Sequence, residues 1–280
     1  MAASYVPVPS AQRTLKVTDL SLRYRVGDRF HDAVQGVSFE LKAGSVLGIA
    51  GESGSGKSSV GLSLIGLAQR MGASVGGSAR LDGDELTSLD ERGWRRTRGS
   101  RVAMIFQDPM TTLNPTMRIM DQVEEVFYYH NAGMGRKERQ ANVIELLERV
   151  GIKRPAEVAR SYPHELSGGM RQRVVIAAAV ALRPELIIAD EPTTALDVTV
   201  QKQVLDLMLD LCRKDDTMLI LISHDLGVVY DRTDSLLVMR NGRIVESGET
   251  ARVLKNPAHD YTRNLLDSRP AFQFQTGTSP

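Results

Sequence analysis

A glycine-rich segment that ends in lysine and serine, at residues 51–58, has the residue types and the spacing of a phosphate-binding loop. It matches the pattern G-x-x-x-x-G-K-S in full. Its glycines let backbone N–H groups turn toward an anion at the start of the following helix. Lys57 can reach terminal phosphates, and the Ser58 hydroxyl can bind the Mg²⁺ that bridges them. The candidate binding residues are Gly51, Ser53, Gly54, Ser55, Gly56, Lys57, Ser58 and Ser59.

Polar side chains follow three further apolar runs, at places where short strands would end. Because ligands of open α/β sheets bind at the carboxyl ends of the strands, we expect these side chains near the phosphate loop. Adjacent carboxylates also occur in solvated turns, but beside a phosphate loop we interpret Asp190 as oriented toward Mg²⁺ and Glu191 as polarising the attacking water. The runs and the residues after them are 102–106 with Gln107 and Asp108, 186–189 with Asp190 and Glu191, and 218–222 with Ser223 and His224.

The elements that would position these residues are strands and helices in alternation. The run 46–50 and the three runs above are short and uninterrupted, which is typical of strands buried on both faces of a parallel sheet. Segments 15–24 and 37–41 alternate apolar and polar residues, as half-buried antiparallel strands do. Between residues 109 and 165 the apolar residues follow helical spacing, which predicts a helical lobe inserted into an α/β core.

Composition and charge narrow the possible functions. The 280 residues include 35 basic and 34 acidic side chains, a formal charge of +1, so no global field attracts nucleic acid or an anionic membrane. The apolar stretch Val174–Leu182 is too short to span a bilayer, and residues 1–13 lack the pattern of a signal peptide. The single cysteine, Cys212, excludes an internal disulfide or a cysteine-only metal cluster, and we expect it to be a small buried side chain on a helix.

Several residues have a structural interpretation as well as a functional one. A basic run around Trp94 could touch nucleic acid, but the neutral balance and the absence of a second aromatic favour a solvated connector. A lone histidine is usually structural, and His224 differs because it follows a core strand as Gln107 and Asp190 do. The basic residues are Arg92, Arg95, Arg96, Arg98 and Arg101, and the histidines expected to be structural are His31, His130, His164 and His259.

Taken together and in this order, the motifs resemble those of ABC transporter ATP-binding subunits, from residue 15 to about residue 265. A phosphate loop alone is common, whereas the whole series is specific. The series is the phosphate loop at 51–58, the Q-loop glutamine Gln107, the signature at 166–170, the Walker B segment ending in Asp190 and Glu191, the D-loop at 195–197 and the switch histidine His224.

The resemblance implies an α/β fold, with a phosphate-loop NTPase (RecA-like) core, an N-terminal antiparallel β subdomain and an inserted α-helical subdomain. The expected organisation is a flexible arm at 1–13, the ATP-binding core with its β subdomain at 14–108 and 166–250, the helical subdomain at 109–165, and a C-terminal extension at 251–280 whose end is disordered.

Three segments are similar to the ATPases of bacterial peptide and nickel importers in particular. They are 106–115, 162–165 and 256–262. The signature ends in Met170, where most family members have glutamine, and this variant is similar to the first of two non-identical ATPase subunits. A heterodimer with a glutamine-type partner is therefore implied. Many peptide-importer ATPases hold an iron-sulfur cluster in a cysteine-rich tail; this chain has no cysteine after Cys212, so no cluster is expected, and a nickel-chelate or other small-solute importer stays open.

By resemblance, Tyr24 stacks on adenine, although it could also be one more core aromatic. Glu191 and His224 serve hydrolysis, and Gln107 links the metal and the water to the helical lobe. The residues expected to bind Mg²⁺ with ATP are Ser58, Gln107 and Asp190; those expected to close over the ATP of a partner are Ser167, Gly168, Gly169 and Met170, with Asp197 in the D-loop. Ser167 is also a good helix N-cap, with glycines that let backbone N–H groups approach a γ-phosphate.

The implied partners are two membrane permeases, a second ATPase subunit and, through the complex, a solute-binding protein, at the cytoplasmic face of the membrane and without nucleic acid. A non-transport ABC protein that clamps nucleic acid or ribosomes is an alternative, but such proteins often join two ATPase modules or add coiled coils. A metabolic phosphate-loop kinase is a third alternative, and it does not explain residues 167–170.

Overall fold

The computed structural model describes residues 13–130, 133–194 and 196–267. Part of the expected N-terminal arm, Ala195 of the D-loop and the C-terminal end from Ser268 lie outside these residues. In chain order the strands are β1 (Thr14–Val26), β2 (Arg29–Lys42), β3 (Val46–Ala50), β4 (Ser74–Leu81), β5 (Asp84–Glu85), β6 (Val102–Ile105), β7 (Leu186–Asp190), β8 (Met218–Ser223), β9 (Ser235–Arg240) and β10 (Arg243–Glu249). The helices are α1 (Lys57–Leu64), α2 (Leu67–Arg70), α3 (Glu91–Thr97), α4 (Pro109–Thr112), α5 (Ile119–His130), α6 (Arg136–Arg149), α7 (Pro155–Val158), α8 (Gly168–Val180), α9 (Val198–Lys214), α10 (Leu226–Tyr230), α11 (Thr250–Lys255) and α12 (Asp260–Asp267).

The central sheet has the strand order β10-β9-β3-β8-β7-β6. Strands β9, β3, β8, β7 and β6 run parallel, and β10 is antiparallel to β9. All five residues of β3 and all six of β8 are buried, as the uninterrupted apolar runs predict. Ala50 of β3 lies opposite Ser223 of β8, and Asp190 of β7 lies opposite Ile222. The carboxyl ends of the strands therefore meet at one edge, as the sequence predicts.

A second, antiparallel sheet has the order β2-β1-β4-β5. The alternation in β1 and β2 is confirmed, since Val17 of β1 and Val37 of β2 are each buried between two exposed neighbours. These side chains share one apolar cluster with Leu47 and Ile49 of β3 and with Val60 of α1. The second sheet is thus packed on the strand and the helix that flank the phosphate loop.

Helices α4 to α7 lie between β6 and β7 in the chain. Ile119, Val123 and Phe127 of α5 are buried on one face, as are Val143 and Leu147 of α6, which confirms the predicted helical spacing. Their apolar cluster continues into α8, α9 and β7. The helical segment is therefore packed against the α/β core through a shared apolar cluster.

The basic run around Trp94 is not the solvated connector that its composition suggests. It forms α3, and Trp94 is buried against Gly66. Arg98 donates hydrogen bonds to the Ile65 and Gly66 carbonyls at 2.9 and 3.1 Å, and Arg101 lies 2.7 Å from a carboxylate oxygen of Glu185. The expectation is wrong because neighbouring carbonyls and carboxylates hold Arg98 and Arg101; the remaining arginines of the run, Arg92, Arg95 and Arg96, are exposed.

Two further expectations concern single features of the chain. Cys212 is buried on α9, as predicted, and burial raises the pKa of its thiol to about 12. Among the described residues, no helix is both long enough and apolar enough to cross a bilayer.

Candidate functional site

The phosphate loop connects the carboxyl end of β3 to the start of α1. Its ends approach β9 and the second sheet so closely that only glycine fits. A Cβ on Gly51, whose φ is +153°, would lie 2.2 Å from the Met239 carbonyl oxygen, and a Cβ on Gly56, at φ +100°, would lie 2.4 Å from that of Ala33. The two glycines therefore fix the path of the loop over the end of the sheet.

Lys57 lies under this loop with its ammonium group held by main-chain oxygens. Its Nζ donates to the carbonyl oxygens of Gly51 and Glu52, both at 2.8 Å, and the residue is 5 % exposed. Burial lowers the pKa of the ammonium, and the nearby Glu191 and Asp190 carboxylates oppose that effect. A buried cation beside loop N–H groups is suited to bind anionic phosphate.

The Ser58 hydroxyl and Asp190 carboxylate lie side by side at the ends of α1 and β7. Ser58 Oγ donates to Asp190 Oδ1 at 3.0 Å. Burial raises the pKa of the Asp190 carboxyl, and the adjacent Glu191 charge raises it further. A hydroxyl and a carboxylate are the hard oxygen ligands that Mg²⁺ prefers, so these two residues fit the predicted Mg²⁺ site.

Glu191 directly follows β7, and residues at the carboxyl ends of neighbouring elements hold its main chain and its side chain. Its φ is +48°, a value uncommon outside glycine, and its N–H donates to the Ile222 carbonyl of β8 at 2.9 Å. One carboxylate oxygen lies 2.9 Å from His224 Nδ1, and the other accepts hydrogen bonds from Gln107 Nε2 at 3.1 Å and Thr194 Oγ1 at 3.2 Å. Three side chains therefore fix the orientation of this carboxylate.

The phosphate loop and Glu191 lie on one cavity of about 720 Å³, within the range of small-molecule sites. Tyr24 lines it at the end of β1, paired with His31 of β2. His31, expected to be structural, is exposed and lines the same cavity. The lining residues are Tyr24, His31, Ala33, Glu52, Ser53, Gly54, Gly56, Lys57, Ser58, Ser59, Gln107, Glu191, Thr194, His224 and Leu265.

The signature residues lie elsewhere, at the N-terminus of α8. Ser167 is exposed and caps this helix, since its Oγ accepts a hydrogen bond from the Met170 N–H at 3.3 Å. A Cβ on Gly169 would lie 2.6 Å from a methyl of Val200 in α9, so the glycine allows close helix packing. Asp197 likewise caps α9, accepting from the Val200 N–H at 3.0 Å. Residues 167–170 do not line this chain's own cavity.

The structure adds site residues that the motifs do not identify. Thr194 binds the Glu191 carboxylate, and its place three residues after Glu191, within the run 193–194, is the only sequence signal for it. Leu265, from the C-terminal helix α12, lines the cavity, and the Tyr261 hydroxyl reaches the main chain of Glu52. Both follow the phosphate loop by more than 200 residues, too far for local spacing to connect them.

The fold and the site define a phosphate-loop NTPase of the α/β class, as predicted. The sequence profile of the ABC transporter family matches residues 34–194. The oligopeptide transport ATP-binding protein AppD of Bacillus subtilis is 49% identical over 239 residues, covering 85% of this chain and 73% of AppD. OppD of Salmonella typhimurium, also an oligopeptide transport ATP-binding protein, is 46% identical over 268 residues, covering 96% of this chain and 79% of OppD.

A solved structure, the dimeric post-hydrolysis state of an ATP-binding cassette bound to ADP and Pi, matches with a TM-score of 0.73 at 25% identity, covering 84% of this chain and 98% of the cassette. The chain therefore belongs to the ABC transporter family and is an ATPase of that family.

Proposed function

We propose that this chain is one ATPase subunit of a bacterial importer and that its ATP hydrolysis drives the uptake of peptides. The names of relatives at 46% and 49% identity, both oligopeptide transport ATP-binding proteins, support the cargo class. The observation that carries the catalytic part is the Glu191 carboxylate, fixed by Gln107, Thr194 and His224 at the edge of the phosphate-loop cavity.

In this proposal Glu191 acts as the general base. It takes a proton from water as the water oxygen attacks the terminal phosphorus and the bond to the ADP oxygen breaks. Lys57 and the N–H groups of the loop bind the phosphate oxygens, while Gln107 and His224 orient the base. Mg²⁺, held by Ser58 and Asp190, would neutralise phosphate charge when bound. Tyr24, which lines the same cavity, would stack on adenine.

We infer that the assembly contains a second, glutamine-type ATPase subunit. Residues 167–170 are available for the ATP of that subunit, because they lie outside this chain's own cavity at the N-terminus of a 13-residue helix. The helical subdomain at 109–165 would contact two permeases, and the solute-binding protein would act through the complex. The chain would then sit peripherally on the cytoplasmic face of the membrane.

Replacing Glu191 with Gln tests the catalytic assignment. The amide keeps the size of the side chain but cannot accept the proton, so turnover should fall by about 10²-fold or more while ATP binding is kept. Glu145→Gln, an exposed change on α6, is the matched control and should leave both unchanged. Near-normal hydrolysis by the Glu191 variant would refute its role as the base.

Reconstitution with the permeases tests the cargo. ATP-dependent uptake of a labelled peptide into proteoliposomes supports the proposal, whereas uptake of a nickel chelate alone would transfer the chain to the alternative importer class. Co-purification with RNA or DNA in place of integral membrane subunits would contradict both.

A further inference from the structure

The segment 256–262, which the ATPase chemistry leaves without a role, lies against the phosphate loop. Tyr261, in the first turn of α12, is 4 % exposed. Its ring packs in an apolar cluster with Ala50, the last residue of the strand that enters the loop, and with Leu236 and Val238 of β9. The C-terminal segment is therefore part of the structure beneath the loop.

The Tyr261 hydroxyl makes a direct contact with the main chain of the loop. It accepts a hydrogen bond from the Glu52 N–H at 3.0 Å. The Glu52 carbonyl oxygen in turn accepts a hydrogen bond from Lys57 Nζ at 2.8 Å. Both main-chain polar groups of Glu52 are thus fixed, one by the C-terminal segment and the other by the lysine that binds phosphate.

The tyrosine is itself held on several sides. The Arg240 guanidinium lies over the Tyr261 ring, 4.8 Å from the centroid. The main-chain N–H of Tyr261 donates to His259 Nδ1 at 3.0 Å. The Glu246 carboxylate of β10 accepts hydrogen bonds from the N–H groups of Ala258 and His259 at 2.7 and 3.1 Å. A hydroxyl on so constrained a ring can fix the position of a loop amide.

One turn further along α12, Leu265 lines the phosphate-loop cavity together with Glu52 and Lys57. Residues 261 and 265 are four positions apart and so share one face of the helix. The same helix face therefore contacts the main chain of the loop through Tyr261 and forms part of the cavity wall through Leu265.

We propose that Tyr261 is a positioning residue for the phosphate loop and that α12 sets the affinity of this site for ATP. The proposal rests on the ATPase function but not on the cargo. Without the hydroxyl, the Glu52 amide loses its partner, and the loop samples arrangements in which Lys57 and the N–H groups no longer converge on phosphate. The effect should fall on binding and spare the chemical step, because the groups around Glu191 are untouched.

Tyr261→Phe in the full chain tests this, since it keeps the ring and its packing. The Kd and KM for ATP should rise about 3- to 10-fold, as expected for one lost hydrogen bond, with kcat within about twofold. Tyr230→Phe is the matched control, because Tyr230 packs on the same cluster but does not line the cavity, and it should leave Kd unchanged. An unchanged Kd in the Tyr261 variant would overturn the proposal, as would a reduced kcat with unchanged KM, which a merely structural role predicts.

Hydrogen exchange gives a second, independent measurement. The Glu52 amide should exchange faster in Tyr261→Phe than in the wild type, while the melting temperature falls by no more than about 4 °C. Equal exchange would overturn the proposed contact. Failure of the wild-type complex to transport peptide would contradict the proposed cargo and leave this result standing.

Discussion

The two regions that define this family are built differently in this chain. The phosphate-loop region is internally complete, since Lys57, Ser58 and Glu191 have partners within the chain and lie on one cavity. The signature region has a capped helix and two glycines, but Ser167 is exposed and does not line the phosphate-loop cavity. We therefore expect the first region to bind nucleotide by itself, whereas the second, in our proposal, needs another chain.

The largest effect on ATP binding should come from removing the Lys57 cation of the phosphate-loop region. Lys57→Ala removes a buried charge that two carbonyls hold in place, so ATP affinity should fall by about 10²-fold or more, measured by calorimetric titration. Lys42→Ala, at an exposed position of β2, should bind ATP normally. Tight binding by the Lys57 variant would contradict the assigned role of the loop.

In the signature region, Ser167→Ala should impair only the assembled ATPase. The variant loses an N-cap, about 1 kcal/mol of stability, and the hydroxyl that would face the partner's ATP. Its complex should hydrolyse ATP several-fold more slowly. Asp90→Ala is the control, because it removes a similar cap from α3, far along the chain from both regions, and should lower stability without slowing hydrolysis. Equal slowing of hydrolysis by both changes would show that the Ser167 effect comes from lost stability alone.

A smaller effect should follow from Thr194→Val, which removes one of the donors to the Glu191 carboxylate. Gln107 and His224 remain, so we expect a loss in turnover of about 2- to 10-fold at unchanged ATP affinity. Steady-state kinetics beside Thr199→Val, an exposed change on α9, would measure it. A loss as large as that of Glu191→Gln would mean that Thr194 has a chemical role of its own.

The smallest effect on ATP chemistry should come from Glu85 in the second sheet. Burial alone would raise the pKa of this carboxyl, but hydrogen bonds from Ser78, Thr87 and the Ala79 N–H lower it to about 2. Its stabilisation is therefore present above its unfolded pKa of about 4.5 and is lost as pH falls toward about 2. Glu85→Gln should lower the free energy of unfolding by about 1–2 kcal/mol at neutral pH, less at acid pH, with ATP hydrolysis unchanged. Denaturant unfolding across pH would show whether the wild type and the variant converge at low pH.

The sequence predicts most of the phosphate-loop region because its residues follow short apolar runs, which are typical of core strands. Parallel pairing then places Asp190, Glu191, His224 and Gln107 at the same edge as the phosphate loop, and local patterns are enough for that inference. The hydrogen-bond donors to Glu191 are harder to predict from the sequence, since nothing in the spacing indicates that Thr194 turns back onto the carboxylate.

The remaining surprises depend on contacts between distant segments. Tyr261 meets Glu52 across 209 positions, and Arg101 meets Glu185 across 84, so periodicity carries no information about either pair. The same limit explains the wrong expectation for the basic run, in which composition suggests solvent exposure but the carbonyls of residues 65 and 66 hold Arg98.

Titration of ATP into the isolated chain tests the central comparison most directly. With Lys57→Ala and Ser167→Ala measured side by side against the wild type, we expect the first variant to lose binding and the second to bind within about twofold of the wild type, since Lys57 lines the phosphate-loop cavity and Ser167 does not. Comparable loss of affinity in both variants would show that the signature belongs to the same site as the loop of its own chain, and would contradict the separation of the two regions.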